Sequence, residues 1–444
     1  MNTSLHAVVL ALASLSSAAF ASPVAFPAPK ESGEITALLA APPSTAIGSF
    51  QSGLMHLWST HPELLSAESQ YDAAGYDIKG AYAGFLPYAA VDYQSSKSST
   101  ESYARFVLPL WRGGLNFANL SIAEASQEAA LADLQRTRLK LGLKLVDAWM
   151  AVVAAREQYQ YWELYVGSLK NLLGVIERRA NEGAAPEADV MLATTRLRQA
   201  DSLREQNRAL VETTQSQLVA LLGTSSLGVT WPTPADPLTD TQAEKVLLRI
   251  GNDHPEVAYA MAQAAKQQAT ARANRAALSP EVSLQHIKPL GDKTLQGPAE
   301  TRIVVQYQTD NGLKGYQAWR GNQKRAMAAD AIEANARREV YSAVRVAQSQ
   351  RLASRNQIRF QEEAVKSADA LVDSFLRQFV AGRKTWLEVL NAQRESHDNH
   401  LALVQQRRGY VQAAYNLSLQ GLYWEALLQS ANSPSMRPEA SATP

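Results

Sequence analysis

Two long stretches of the chain, residues 115–180 and 316–380, place apolar residues at helical spacing with polar residues between them. Leu134, Leu141 and Leu145 show this spacing in the first stretch. Both stretches lack Pro and are rich in helix-favouring Ala, Leu, Gln, Arg and Glu. At 1.5 Å per residue, each predicted helix is on the order of 100 Å long. The pattern therefore predicts coiled-coil rods rather than the core of a globular domain.

The same order of elements occurs twice along the chain. His61-Pro62-Glu63 and His254-Pro255-Glu256 each begin a predicted helix, over 62–83 and 255–276. Two β-like segments, a Gly-containing turn, one of the long rods and a return helix then follow in each half. The β-like segments are 87–94, 103–110, 280–288 and 302–308, the turns are Gly113-Gly114 and Gly312 with Gly315, and the return helices are 187–222 and 385–428.

The β-like segments alternate apolar and polar residues with the period of two that a strand requires. Ile303, Val305 and Tyr307 share one face of the last segment, opposite Arg302. Such alternation fits either a sheet on a soluble core or a barrel wall in lipid. Strands in two hairpins leave two open edges, so we expect neighbouring copies to pair with them. Three copies would supply twelve strands, an even number as in outer-membrane barrels.

The segments that join each rod to its return helix, 181–194 and 380–393, align without a gap. The aligned pairs are Gly183 with Gly382, Pro186 with Thr385, Asp189 with Glu388, Val190 with Val389 and Ala193 with Ala392. A Gly just after the last helical residue commonly ends a helix, and Pro commonly begins one. The two segments are therefore predicted to be the turns of two helical hairpins.

The composition excludes several classes of function. The 444 residues are 46% hydrophobic and 19% charged with a net charge of +1, which gives no electrostatic basis for binding nucleic acid. The chain has no Cys, so disulfides and thiolate metal sites are excluded. His397 and His400 stand near Glu395 and Asp398 at a spacing used by metal sites in helical bundles, but the sequence has no second Glu-x-x-His pair to face them. We therefore predict no metal, no cofactor and no catalytic site.

The N-terminus has the pattern of an export signal. An apolar stretch runs from Ala7 to Phe20, and small residues at 19 and 21 suit cleavage before Ser22. No later apolar run reaches the length of a membrane-spanning helix. The predicted organisation is a signal peptide (1–21), an N-terminal lead (22–60), repeat 1 (61–223), an equatorial linker (224–253), repeat 2 (254–430) and a disordered tail (431–444).

From residue 61 to about residue 428, the chain resembles the TolC family of outer-membrane channel proteins. The resemblance rests on the doubled His-Pro-Glu, the paired hairpins, the turns around Gly183 and Gly382, and the segment GRKTWLEVLNAQRE. It implies a mainly α-helical tandem-repeat protomer with a small β part, whose homotrimer forms a twelve-stranded barrel in outer-membrane lipid and a long helical barrel in the periplasm. It implies a passive exit duct rather than an enzyme, joined by a periplasmic adaptor to an inner-membrane ABC transporter or proton-driven pump.

The resemblance also implies a periplasmic gate in the second hairpin. By position, Phe379 matches an aromatic gate residue, Lys384 a basic one and Glu388 the first gate acid. Asn391 stands where the family often has a second acid, which argues against a double acidic ring. Three copies of Glu388 around a three-fold axis would form an anionic constriction that favours cations. From the residues alone, Glu388 is also consistent with a solvated surface acid and Phe379 with hairpin packing.

The hairpin turns are the predicted contacts for the adaptor. The residues concerned are Gly183, Pro186, Asp189, Gly382, Arg383 and Thr385. Two other classes of protein stay open at this point. A periplasmic coiled-coil adaptor also has helical hairpins, although it normally carries one between compact β modules, and a di-metal helical-bundle enzyme would use His397 and His400. The cargo, whether small molecules or secreted polypeptides, is not determined by the sequence.

Overall fold

The helices and strands follow the order that the sequence predicts. The computed structural model describes residues 47–95, 100–232, 253–290, 298–308 and 313–421. Helix α1 (Phe50–Thr60) lies in the N-terminal lead, and the first repeat contains α2 (Pro62–Ala83), β1 (Tyr88–Ser95), β2 (Thr100–Trp111), α3 (Leu115–Asn181) and α4 (Glu187–Leu222). The second repeat contains α5 (Pro255–Ala276), β3 (Glu281–Pro289), β4 (Glu300–Gln306), α6 (Lys314–Val380) and α7 (Trp386–Gln420).

Some predicted features lie outside the described residues. They are the signal peptide (1–21), the lead as far as residue 46, Gly312, the linker from residue 233 to residue 252 and the tail (431–444). The helix predicted over 385–428 ends at Gln420, where Gly421 caps it, and residues 422–428 are outside the described range. Helix α1 has no counterpart among the predicted elements, although Ser49 and Ser52 form a capping box at its start.

The repeated His-Pro-Glu motif is a helix start in both repeats. Nδ1 of His61 accepts the backbone N–H of Glu63, and Nδ1 of His254 accepts that of Glu256, each at 3.2 Å. Pro at the first helical position loses no hydrogen bond, because that N–H has no partner inside a helix. Only 3% of His254 is exposed, and burial lowers the pKa of its ring to about 4. His254 therefore caps α5 as a neutral ring at neutral pH.

The long helices α3 and α6 each contact two shorter helices. Helices α2 and α4 pack on α3, while α5 and α7 pack on α6. Helix α3 also contacts α5 and α7, which joins the repeats. The helices thus lie in the order α2, α3, α5, α6 near the strands and α4, α3, α7, α6 near the hairpin turns. None of the helices in the described ranges is long and apolar enough to cross a membrane.

The largest buried cluster surrounds the middle of α3. Trp149 is fully buried there, and its indole N–H donates to the carbonyl of Thr230 at 3.0 Å. Phe50 of α1 contacts both Trp149 and Tyr415 of α7, with ring centroids 5.9 Å and 4.6 Å apart. Large buried side chains from both repeats and from α1 therefore hold the middle of the rod together.

The four strands form one antiparallel sheet in chain order, β1-β2-β3-β4. Pairing of β2 with β3 joins the repeats and places Phe106 opposite His286 and Leu108 opposite Leu284. Each strand is directly connected to a helix, so the order of the strands matches the order of helices α2, α3, α5 and α6. Strands β1 and β4 are the edges of the sheet, and neither pairs with another strand in the described part of the chain.

The sheet exposes its apolar face. Ile303 and Val305 on that face are 67% and 66% exposed. The opposite face is more polar, although it includes Val107 and Val304: Arg105 forms an ion pair with Asp92 at 3.0 Å, and Ser283 is buried. A sheet of a soluble protein covers its apolar face with other elements. This arrangement therefore matches the lipid-facing wall of a barrel and not a layer on a soluble core.

Candidate functional site at the hairpin turns

Both long helices end in the same backbone motif. Gly183 and Gly382 adopt left-handed conformations with φ of 72° and 74°. The N–H of Gly382 donates to the carbonyl of Phe379 at 3.0 Å, and the N–H of Arg383 donates to that of Gln378 at 2.9 Å. The corresponding bonds follow α3 at Gly183. These are Schellman motifs, which satisfy carbonyls at the helix end and require a positive φ that Gly adopts without strain.

The two return helices begin differently. Pro186 precedes α4 and provides no side-chain cap, and the N–H of Asp189 donates to the carbonyl of Pro186 at 3.1 Å. Thr385 precedes α7 and forms a capping box with Glu388. The hydroxyl of Thr385 accepts the N–H of Glu388 at 3.3 Å, and the carboxylate of Glu388 accepts the N–H of Thr385 at 2.9 Å. The aligned positions thus share a turn but not a cap.

Glu388 is ionised and locally paired. Nζ of Lys384 lies 2.6 Å from its Oε1, and the hydroxyl of Thr385 also contacts Oε2 at 2.9 Å. The pKa of Glu388 is lowered to about 2, mainly by the hydrogen bond from Lys384 and then by those from Thr385. The carboxylate side chain is 42% exposed. Its negative charge is therefore retained at neutral pH, although Lys384 partly neutralises it.

Phe379 is buried in the joint between the hairpins. Its side chain is 3% exposed and belongs to a cluster with Ile176 of α3 and Val389 of α7. The guanidinium carbon of Arg179 lies 4.3 Å from the centroid of the Phe379 ring, and Nη2 of Arg179 donates to the Phe379 carbonyl at 3.0 Å. In this conformation Phe379 packs between the two hairpins of the chain.

The remaining predicted site residues are spread over the surface of the turns. Asn391 and Arg383 are exposed, and Asn391 lies at a cleft that Trp162 and Arg196 also line. Nζ of Lys384 lies 4.5 Å from the centroid of the Phe375 ring. The sequence does not identify Arg179 as a residue that contacts Phe379. A basic residue in the last turn of a helix is a common feature, so the sequence gives no sign that this one reaches Phe379.

The fold combines an exposed apolar sheet with paired helical rods. The chain belongs to the outer membrane efflux protein family, whose model matches residues 56–224 and 249–419. The predicted resemblance, fold class and outer-membrane location are confirmed, and the family is one of channel proteins rather than enzymes. Membership favours neither an adaptor nor a metalloenzyme. In the described residues, no group of three or more His, Cys, Asp or Glu side chains could hold a metal ion.

Two curated relatives match part of the chain. Outer membrane protein OprJ of Pseudomonas aeruginosa is 28% identical over 135 residues, which cover 28% of this chain and 28% of OprJ. Pyoverdine export outer membrane protein OpmQ of Pseudomonas putida is 26% identical over 207 residues, which cover 44% of this chain and 42% of OpmQ. The aligned segments therefore span less than half the length of these relatives.

Solved channel structures share the fold over most of the chain. The outer-membrane channel OprN superposes with a TM-score of 0.73 at 19% identity, covering 84% of this chain and 89% of OprN. Outer membrane protein VceC of Vibrio cholerae superposes with a TM-score of 0.72 at 16% identity, covering 84% of this chain and 96% of VceC. The shared fold therefore covers more than four fifths of this chain.

Proposed function

We propose that three copies of this chain form a duct through the outer membrane and act as the passive exit of a tripartite export system. The exposed apolar face of a sheet with two unpaired edges carries this proposal. Edge strands left open in lipid have unsatisfied backbone groups, which are costly there. Closure with the edges of neighbouring copies removes that cost, and three copies give twelve strands.

The sides of the helical layer support assembly of copies. Helices α2 and α4 form one side and α6 forms the other, and both sides carry exposed apolar residues. These residues are Leu65, Tyr76, Met191, Leu203 and Leu210 on the first side and Met327, Ile332, Tyr341, Val346 and Phe360 on the second. Apolar surface of this extent is typical of a subunit contact. Packing of α6 against α2 and α4 of the next copy would close the helices into a cylinder.

The cargo proposed here is a small molecule. The family is named for efflux, and OpmQ is named for pyoverdine export. An inner-membrane pump, either an ABC transporter or a proton-driven one, would deliver the cargo, and a periplasmic adaptor would contact the exposed hairpin turns at Gly183, Pro186, Asp189, Gly382, Arg383 and Thr385. The comparisons thus favour efflux over secretion of polypeptides.

Glu388 is proposed to supply the charge of the periplasmic constriction. Three ionised copies around the axis form an anionic ring, while the neutral Asn391 adds no second ring. We expect purified protein to be a detergent-extracted trimer that conducts in planar bilayers with a preference for cations. Glu388→Gln should lower the cation preference several-fold, because the ring loses its charge. Reversal-potential measurements in a salt gradient report this preference.

The matched control for Glu388→Gln is Thr385→Ala. Thr385→Ala disrupts the capping box without removing a charge, whereas Glu388→Gln removes the charge and keeps an acceptor for the N–H of Thr385. Thr385→Ala should therefore retain the cation preference. Equal selectivity in Glu388→Gln and the unmodified protein would place the constriction elsewhere. A water-soluble monomer without conductance would contradict the duct itself.

Arg179 is proposed to hold the second hairpin against the first. Its contacts with Phe379 combine a cation–π interaction and a charged hydrogen bond, together about 2 kcal/mol. Arg179→Gln should therefore increase the open probability of single channels by about thirtyfold. Arg178→Gln is the control, because Arg178 is exposed in the same helical turn. If the two variants open equally often, Arg179 does not restrain the gate.

A further inference from the structure

A cluster of aromatic and histidine side chains joins the two repeats along α3 and α7. The ring of His397 stacks on Tyr165, with centroids 4.5 Å apart and planes 14° apart, and meets Trp162 edge-on at 4.2 Å. The ring of His400 stacks on Tyr161 with centroids 4.5 Å apart. His397 comes twelve positions after Thr385, which is about 18 Å along a helix. The cluster is therefore a second attachment between the repeats, away from the Arg179 contact.

His397 is held in the cluster as a neutral ring. Its side chain is 5% exposed, and one ring nitrogen donates to the backbone carbonyl of Tyr161. The other nitrogen, Nε2, is buried and has no hydrogen-bond partner in the described residues. An added proton would have to bind at Nε2, where no acceptor of the described residues meets it. Burial first, and then the neighbouring His400, lower the pKa of His397 to about 4.

The charged groups around the cluster do not offset a proton on His397. On α6, Asp369 faces His400, with Nε2 of His400 3.2 Å from its carboxylate. Tyr165 is close enough to be influenced electrostatically by Asp398, Arg394 and Arg196. Tyr161 is influenced in the same way by Glu157, Arg407 and Asp369. The charge that acts on His397 itself is that of His400, which opposes protonation. Protonated His397 would thus be a buried cation without a carboxylate partner.

We infer that this cluster is an acid-responsive joint, in which protonation of His397 releases α7 from α3 and frees the second hairpin to move. The inference rests on the proposed gating function. Once α7 has separated, the ring would be in water, where a His side chain titrates with a pKa of about 6.5. The separated state therefore binds the proton more readily and gains population as pH falls. The ratio of the separated state to the joined state should rise on the order of 100-fold as pH falls from about 6.5 to about 4.

The variant His397→Phe tests the joint, because it keeps an aromatic ring in the slot and cannot be protonated. We expect hydrogen exchange of residues 158–168 and 393–403 to be on the order of tenfold faster in the unmodified protein than in His397→Phe at pH 5. At pH 7.5 the two proteins should exchange these segments alike. Both proteins are compared at the same pH, so the intrinsic pH dependence of hydrogen exchange is the same in each. Both also retain His254, so protonation of that residue cannot cause a difference between them. His397→Leu is a second variant without a titrating group and should behave in the same way.

Single-channel recordings across the same pH range link the joint to gating. Open probability should rise on acidification in the unmodified protein and stay level in His397→Phe. Equal exchange rates in the two proteins at pH 5 would overturn the inference, whatever the recordings show. Faster exchange in the unmodified protein without any conductance would instead retain the joint and reject the proposed duct. An acid response that persists in both proteins would assign the effect to other groups.

Discussion

Gly113→Ala is expected to destabilise the protein by about 3 kcal/mol, well beyond an ordinary glycine substitution. Gly113 has a φ of 62°, and an added Cβ would lie 2.4 Å from Cβ of Ser279 and 2.7 Å from the carbonyl oxygen of Ala276. A backbone oxygen at this distance cannot rotate away as a flexible side chain would. The turn between β2 and α3 therefore approaches the turn between α5 and β3 as closely as a glycine allows.

The neighbouring Gly114 provides the control for this prediction. Its φ is 86°, but nothing lies within 4 Å of an added Cβ. Gly114→Ala should cost about 1 kcal/mol for the positive φ alone. Thermal unfolding in detergent, followed by circular dichroism, measures both variants. Equal losses would mean that backbone conformation, and not contact between the repeats, makes Gly113 necessary.

The regular elements are predictable because each has a local cause. Pro and the capping His fix the starts of α2 and α5, so the predicted spans 62–83 and 255–276 agree with the structure. Alternation at period two identifies the strands, since it reflects two faces with different surroundings. Local signals are weaker elsewhere. The positive φ at the start of α6 falls on Leu313, whereas the sequence directs attention to Gly312 and Gly315.

The candidate site depends on contacts that no local pattern encodes. Arg179 and Phe379 are 200 residues apart, and their contact exists because α3 packs against the second hairpin. The pairing of Glu388 with Lys384 has a local cause, since the two residues are four apart at a helix start. The aligned turns predict this location correctly as hairpin ends. The direction in which Phe379 points follows only from the packing between the repeats.

The surroundings of His397 likewise depend on tertiary packing rather than on a local sequence pattern. Its spacing from His400 is one that metal sites in helical bundles use, although the sequence has no second Glu-x-x-His pair and predicts no metal. In the structure the two rings face aromatic side chains of α3, which lies more than two hundred residues earlier in the chain. A stacked and buried imidazole responds to protons through desolvation rather than through ligand exchange. Tertiary packing therefore changes the chemistry to which these residues are suited.

Ile303→Lys is expected to impair insertion of the barrel by about 2–4 kcal/mol, the cost of a lysine facing lipid near the middle of the bilayer. Ile303 is the middle residue of β4, is 67% exposed and pairs with Leu284 on the apolar face.

Val304→Lys is the control, because Val304 pairs with the buried Ser283 on the polar face. Urea titrations of folding into phospholipid vesicles measure both changes. Because adjacent residues of a strand point to opposite faces, a cylinder in lipid predicts a large loss for Ile303→Lys and a small one for Val304→Lys. Equal tolerance of both lysines would mean that this face meets water, and the subunit would then have no membrane wall.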